Sequence, residues 1–138
     1  MIKILERLGV PRTLMLGFLA VAIFMTGDGF ELTFLSKFMV DQGFTSSQAS
    51  LLVTVYGLFA AFGGWSAGVL AEMFGARKVM MFGACWWIGV HLLFLGIALP
   101  SHIYPLILCL YAMRGIGYPL FIYSFVVLMA QYISPSRL

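Results

Sequence analysis

Four long apolar stretches, each separated from the next by a few polar or helix-breaking residues, constrain this chain more than any other feature. They run over residues 13–40, 48–72, 78–99 and 103–133. A helix that crosses the hydrocarbon core of a bilayer needs about 20 predominantly apolar residues, and each stretch meets that length. Membrane strands are about ten residues long and alternate polar with apolar side chains; these runs are longer and lack the alternation. Charge points the same way. Only 9% of the 138 residues are charged and 62% are apolar, whereas a soluble domain carries roughly 25% charged residues. The predicted fold is all-α and integral to a membrane, with four transmembrane helices.

The connections are short. The polar run from Asp41 to Ser47 is a turn, with Thr45, Ser46 or Ser47 placed to cap the second helix. Gly75 breaks the chain between the second and third spans, and Pro100, Ser101 and His102 separate the third from the fourth. Ahead of the first span, residues 1–12 set Ile4, Leu5 and Leu8 against Lys3, Glu6 and Arg7. That pattern predicts a short interfacial helix ended by Gly9 and Pro11. A cleaved leader is not expected, because the Ala20-Val21-Ala22 triplet lies inside an apolar run that continues past it.

The net charge of +3 is spread over the span ends and leaves no basic patch for nucleic acid. It sets topology instead. Lys3, Arg7, Arg12, Arg77, Lys78 and Arg137 fall on one side, and only Lys37 on the other. The side rich in Lys and Arg is cytoplasmic. Both termini, including residues 134–138, are therefore expected inside the cytoplasmic (inner) membrane, with the loops around Asp41 and Ser101 outside. Cys85 and Cys109 lie within apolar runs with no Cys/His cluster near them, so no metal or other cofactor is expected. No nucleophile–base constellation suggests an enzyme.

The second span carries Gly57, Ala60, Ala61, Gly64, Ala67, Gly68 and Ala71. Small residues four apart line one broad face and let helix backbones approach closely, which matters where lipid supplies no hydrophobic drive to association.

Three charges interrupt the apolar spans: Asp28 and Glu31 in the first, Arg114 in the fourth. Each costs roughly 2.5–3.5 kcal/mol on insertion scales, so such residues usually have partners and face a bundle interior or a wet cavity. Asp28 and Glu31 are three apart and share a helix face. At a rise of about 1.5 Å per residue, Asp28 lies roughly 18 Å, Glu31 roughly 13 Å and Arg114 roughly 16 Å from the outer ends of their spans. Tyr56 and His91 come to a similar level, each roughly 12 Å in. One reading is a buried ion pair that only ties the first and fourth helices together. The reading preferred here is a mid-membrane site for substrate, protons or both, formed by Asp28, Glu31, Tyr56, Arg114 and Tyr118. His91 is expected to pack against or bond a neighbouring helix. Gly27 and Gly29 flank Asp28, and Gly115, Gly117 and Pro119 follow Arg114. Helices loosened beside charged residues are the usual pointer to a transporter binding site.

The stretch Gly68-Val-Leu-Ala-Glu72-Met-Phe-Gly75-Ala-Arg77-Lys78 resembles the signature loop of the major facilitator superfamily. That pattern is a glycine, three residues, an acid, and then a glycine followed by basic residues. Glu72 stands for the usual Asp, Met73 where Lys or Arg is common, and Ala76 where Arg is common. Arg114 with Gly115 and Gly117 resembles the superfamily's fourth-helix arginine motif in compressed spacing. Gly27-Asp28-Gly29-Phe30-Glu31, with the Val10-Pro11-Arg12 lead-in, looks similar to polyol permeases and metabolite–proton symporters.

The resemblance covers essentially the whole chain. It implies twelve spans in two six-helix halves, each built of two inverted three-helix repeats. This chain would supply the first four helices. What it implies is the N-terminal part of a secondary active transporter for a small polar metabolite (a polyol, sugar or organic acid). A proton is the suspected coupling ion, and the missing C-terminal helices would be needed for transport. In the motif loop, Gly68 would let helix ends pack closely and Gly75 would permit the turn. Arg77 and Lys78 would anchor the turn at the headgroups and could pair with Glu72. A complete four-helix transporter acting as a dimer and a non-transporting membrane subunit remain as alternatives.

Overall fold

The computed structural model describes residues 12–132. The interfacial segment expected ahead of Arg12 and the cytoplasmic end expected at residues 134–138 lie outside the described residues, as do Lys3, Arg7 and Arg137.

Among the described residues the chain forms four long helices: α1 (Arg12–Asp41), α2 (Ser46–Phe74), α3 (Ala76–Ser101) and α4 (Tyr104–Tyr132). All four are long and apolar enough to cross a membrane. The large apolar side chains they expose, among them Leu16, Ile23, Phe30, Trp65 and Leu92, form the outer surface that such a setting requires. The first three helices run one or two residues past the stretches expected from hydropathy, and α4 lies within the fourth. Backbone bonding continues beyond the apolar core because leaving a helix early would strand polar groups.

Local chemistry sets the breaks. Of the three candidate caps for α2, Thr45 takes the role. Its Oγ1 accepts from the Gln48 backbone N–H at 3.2 Å, and the Gln48 side chain accepts from the Thr45 N–H at 2.9 Å. This reciprocal pair satisfies two otherwise orphaned donors. Gly75 joins α2 to α3 at φ +90°, a conformation that side chains with a Cβ rarely adopt. Pro100 does not end α3. The helix instead widens into a π-turn over Phe94–Ala98 and closes at Ser101, with His102 left-handed at φ 54°. Proline has no N–H to give and its ring crowds the carbonyl four residues back; the wider turn just before it accommodates both effects.

α4 is the centre of the bundle. Half of the residues across its most apolar stretch are buried, against 11% for α1. It packs chiefly against α2 and α3, while α1 lies mainly along α2. Two side-chain bonds to backbone carbonyls cross between helices among the described residues: Tyr104 Oη donates to the Gln48 carbonyl at 2.9 Å, and Trp86 Nε1 donates to the Met113 carbonyl at 2.8 Å. Close backbone approach depends on four glycines. A Cβ at Gly115 would lie 2.6 Å from the Tyr56 carbonyl oxygen, one at Gly63 2.8 Å from that of Ile116, and one at Gly117 2.9 Å from that of Gly83. A Cβ at Gly83 would lie 2.7 Å from the Phe121 nitrogen.

The small-residue face of α2 differs from the one expected. Its packed positions are Ala49, Leu52, Tyr56, Gly63, Ala67 and Ala71. Gly57 and Gly68 face open space within the described residues. Residues 57 and 68 fall about 100° from the buried line at 3.6 residues per turn, so Gly68 packs against no helix among the described residues.

Candidate functional site

Each helix contributes to one polar cluster from its own buried face. On α1, Asp28 lies on the line of Leu35 and Met39, seven and eleven residues on, both of which are buried. On α2, Tyr56 follows buried Leu52 by four. On α4, Arg114 follows buried Ile107 by seven and Tyr111 by three. On α3, Trp87 and His91 are four apart and continue the line of Gly83. Apolar packing closes both ends. One cluster, including Met39, Leu52, Phe94, Ile107 and Tyr111, lies toward the Asp41 end; another, of Ala67, Val79 and Leu120, lies toward the Gly75 end.

Arg114 organises the site and is fully buried. Its Nη2 donates to Asp28 Oδ1 at 2.8 Å, and its Nη1 donates to Glu31 Oε1. The guanidinium also sits over aromatic rings, with Cζ 4.4 Å from the Trp87 centroid, 5.3 Å from Tyr111 and 5.7 Å from Tyr56. Cation–π contact strengthens when the cation is desolvated, so the rings offset part of the cost of burying the charge. Tyr56 Oη completes the shell, donating to the Asp28 carboxylate at 3.1 and 3.2 Å.

The two carboxylates are placed differently. Asp28 is 4% exposed and held on both oxygens. The Glu31 side chain is 20% exposed, and its Oε2 lies 3.7 Å from His91 Nδ1, beyond hydrogen-bond length. His91 Nδ1 is buried with no hydrogen-bond partner, and so are Trp87 Nε1, Tyr111 Oη and Arg114 Nε. Glu31 and His91 form the polar floor of a cleft of about 360 Å³ between α1 and α3. Phe34, Leu35 and Phe38 wall it on one side, and Phe94, Leu95 and Leu99 on the other. The π-turn of α3 supplies most of the second wall.

The structure therefore brings together four of the five expected site residues: Asp28, Glu31, Tyr56 and Arg114. Tyr118 stands apart. It lies one turn along α4 toward the Gly75 end and stacks on Phe24 at 5.7 Å, within an aromatic group that includes Trp87 and Phe121. Gly27 and Gly29 do not interrupt α1, which is helical through both, and each opens onto empty space. Trp87 and Tyr111 are the partners that sequence reasoning missed. Their only signal was spacing: Tyr111 one turn before Arg114, Trp87 one turn before His91.

The motif loop is a separate feature. Glu72, Arg77 and Lys78 are all exposed, and no ion pair joins them among the described residues. The expected pairing of Glu72 is thus not made within this part of the chain. Glu72 sits in the last turn of α2 and the two cations in the first turn of α3, across the Gly75 bend.

Residues 16–138 match the sequence model of the Major Facilitator Superfamily. Among curated proteins, the chain is 50% identical over 119 residues to the ribitol transporter of Klebsiella pneumoniae, covering 86% of this chain and 28% of that protein. It is 49% identical over 120 residues to the D-arabinitol transporter of the same organism, covering 87% and 28%. It is 41% identical over 125 residues to the alpha-ketoglutarate permease of Bacillus subtilis, covering 91% and 29%. The chain thus spans a little over a quarter of the length of these relatives. No solved structure matches it.

Proposed function

The chain belongs to the Major Facilitator Superfamily, a family of transporters and not of enzymes, and from that premise we propose that it forms the N-terminal part of a proton-coupled carrier for a neutral polyhydroxylated metabolite. Asp28, Glu31, Tyr56 and Arg114 contribute this part's share of the substrate and proton site, with Tyr118 at its edge. A role for the cluster beyond tying helices together is supported by its polar atoms. A buried polar group without a partner costs free energy, and Arg114 Nε and three atoms near it (Trp87 Nε1, His91 Nδ1 and Tyr111 Oη) are in that state, where a ligand or water would satisfy them.

The observation that carries the substrate class is the commitment of Arg114. An organic acid needs a cation to meet its carboxylate. Here both Nη groups already hold carboxylates of the chain itself, and the guanidinium is covered by rings. Two carboxylates against one arginine leave the cluster negative, which repels an anion and suits hydroxyl groups. For an anionic substrate the cation would have to come from outside this chain. The names of two relatives, the ribitol and D-arabinitol transporters, fall in the neutral class.

The proposed orientation places the Gly75 end in the cytoplasm. Arg77 and Lys78 are at that end, and Lys37 at the other is matched by Asp41 at 2.7 Å. The exposed motif loop, with Gly68, Glu72, Gly75, Arg77 and Lys78, then faces the cytoplasm and is free to engage helices outside the described residues. Glu72→Ala should shift the resting conformation, seen as altered accessibility of cysteines placed in the outer cavity; unchanged accessibility would remove that role.

The test is a chimera in which this chain replaces the matching segment of the Klebsiella ribitol transporter. Ribitol should accumulate against its gradient when a proton gradient is imposed, and an uncoupler should abolish accumulation. Ribitol uptake that ignores the proton gradient would contradict coupling. Strong competition by alpha-ketoglutarate would contradict the neutral substrate class.

A further inference from the structure

Resting on the transporter reading above, we propose that Glu31 and His91 hold the coupling proton between them, and that Asp28 is the permanent counterion of Arg114. The two carboxylates of α1 are one turn apart on one helix face, yet the structure gives them different surroundings.

Asp28 is engaged on both oxygens. Oδ1 takes bonds from Arg114 Nη2 and the Tyr56 hydroxyl, Oδ2 takes one from the same hydroxyl, and almost nothing of the residue is exposed. A proton arriving there would remove the charge that strengthens the bonds from Arg114 and Tyr56. Glu31 has one oxygen on Arg114 and the other facing the cleft. His91 faces the same cleft from α3 with its Nδ1 unpartnered. Its ring is held by stacking on Trp87 at 4.9 Å and by Phe94 beyond. A shift of about half an ångström would bring the 3.7 Å gap between Oε2 and Nδ1 to hydrogen-bond length.

Every group around the pair fits this division. Asp28 on α1, Arg114 and Tyr111 on α4, and Trp87 on α3 face it; α2 reaches the cluster through Tyr56, which is bound to Asp28. With His91 neutral, Asp28, Glu31 and Arg114 sum to one negative charge. One proton brings the sum to zero, and the gap between Oε2 and Nδ1 is the place left for it. The proton comes from water at the Asp41 end, which the orientation above places outside. It binds at Glu31 Oε2 or His91 Nδ1 and is shared by the two. Glu31 then loosens its hold on Arg114 Nη1 while Asp28 retains Nη2. The shared proton takes one negative charge off the floor of the cleft and gives that floor a donor for a substrate hydroxyl, so proton and polyol favour each other's binding without Arg114 leaving its seat.

Infrared difference spectroscopy of the chain in lipid nanodiscs during a pH ramp tests this directly. Samples carry a ¹³C label on either the glutamate or the aspartate carboxyls. The carboxyl band that titrates together with an imidazole band should shift with the glutamate label. It should disappear in Glu31→Gln, and its midpoint should move by about one pH unit, tenfold in proton concentration, in His91→Phe, which keeps a ring against Trp87. A shift with the aspartate label instead, or an unmoved midpoint in His91→Phe, overturns the proposal. The labelled spectra need no substitution, so a variant that fails to fold does not remove the test. A chimera that fails to transport ribitol while the glutamate band behaves as stated would refute the transporter reading and leave the proton site standing; the converse refutes the proton site alone.

Discussion

Arg114 is anchored from four directions: Asp28, Glu31, the Trp87 face and the Tyr111 face. The costs of removing these partners should therefore rank. Arg114→Gln leaves the buried Asp28 and partly buried Glu31 carboxylates facing each other without a cation and should destabilise the bundle by about 3–5 kcal/mol. Tyr56→Phe removes one bond to Asp28 and should cost about 1 kcal/mol, in the range measured for interhelical bonds in membranes. Thermal unfolding in a single detergent checks the order; equal losses would mean that the ion pairs carry little of the packing. At this scale the sequence was informative where residue types were rare. Asp28, Glu31 and Arg114 stand out because charge in an apolar run demands a partner. Trp87 and Tyr111 did not, because aromatic residues are common in apolar helices and only the folded bundle shows which of them meet the guanidinium.

At the level of helices, α4 is seated by missing side chains. Gly115→Ala would drive a methyl group to 2.6 Å from the Tyr56 carbonyl, parting α2 from α4 at the residue that holds Asp28. A loss of about 1–3 kcal/mol is expected, together with loss of the Tyr56–Asp28 bond. Gly68→Ala meets open space and should cost nothing, since a helix interior favours Ala over Gly by about 0.5–1 kcal/mol. Comparing the two variants by unfolding tests the packing; similar losses would place α2 in the wrong rotation. The four spans could be read from hydropathy because length and apolarity suffice to define them. The rotation of α2 could not, since glycines and alanines surround that helix and small-residue spacing alone fits more than one face. The continuation of α3 through Pro100 was also hidden, because a π-turn is a response of the backbone to its neighbours and leaves no pattern of its own.

For the molecule as a whole, orientation and function are coupled. A cysteine placed at Ser101 should be labelled only from outside the cell, and one at exposed Met73 only from the cytoplasm; the reverse pattern would invert the path proposed for the proton. The central question is whether the Asp28–Arg114 pair only ties α1 to α4 or takes part in transport. The most direct measurement is ribitol accumulation by the chimera carrying Asp28→Asn and Arg114→Gln together. A purely structural pair, replaced by two neutral amides that can still bond each other, should lose little beyond the Arg114–Glu31 bond, since exchanging a buried ion pair for uncharged groups is often near neutral. If the pair takes part in transport, the double variant regains thermal stability relative to Arg114→Gln alone but does not accumulate ribitol against its gradient. Full proton-driven accumulation in the double variant would contradict that role.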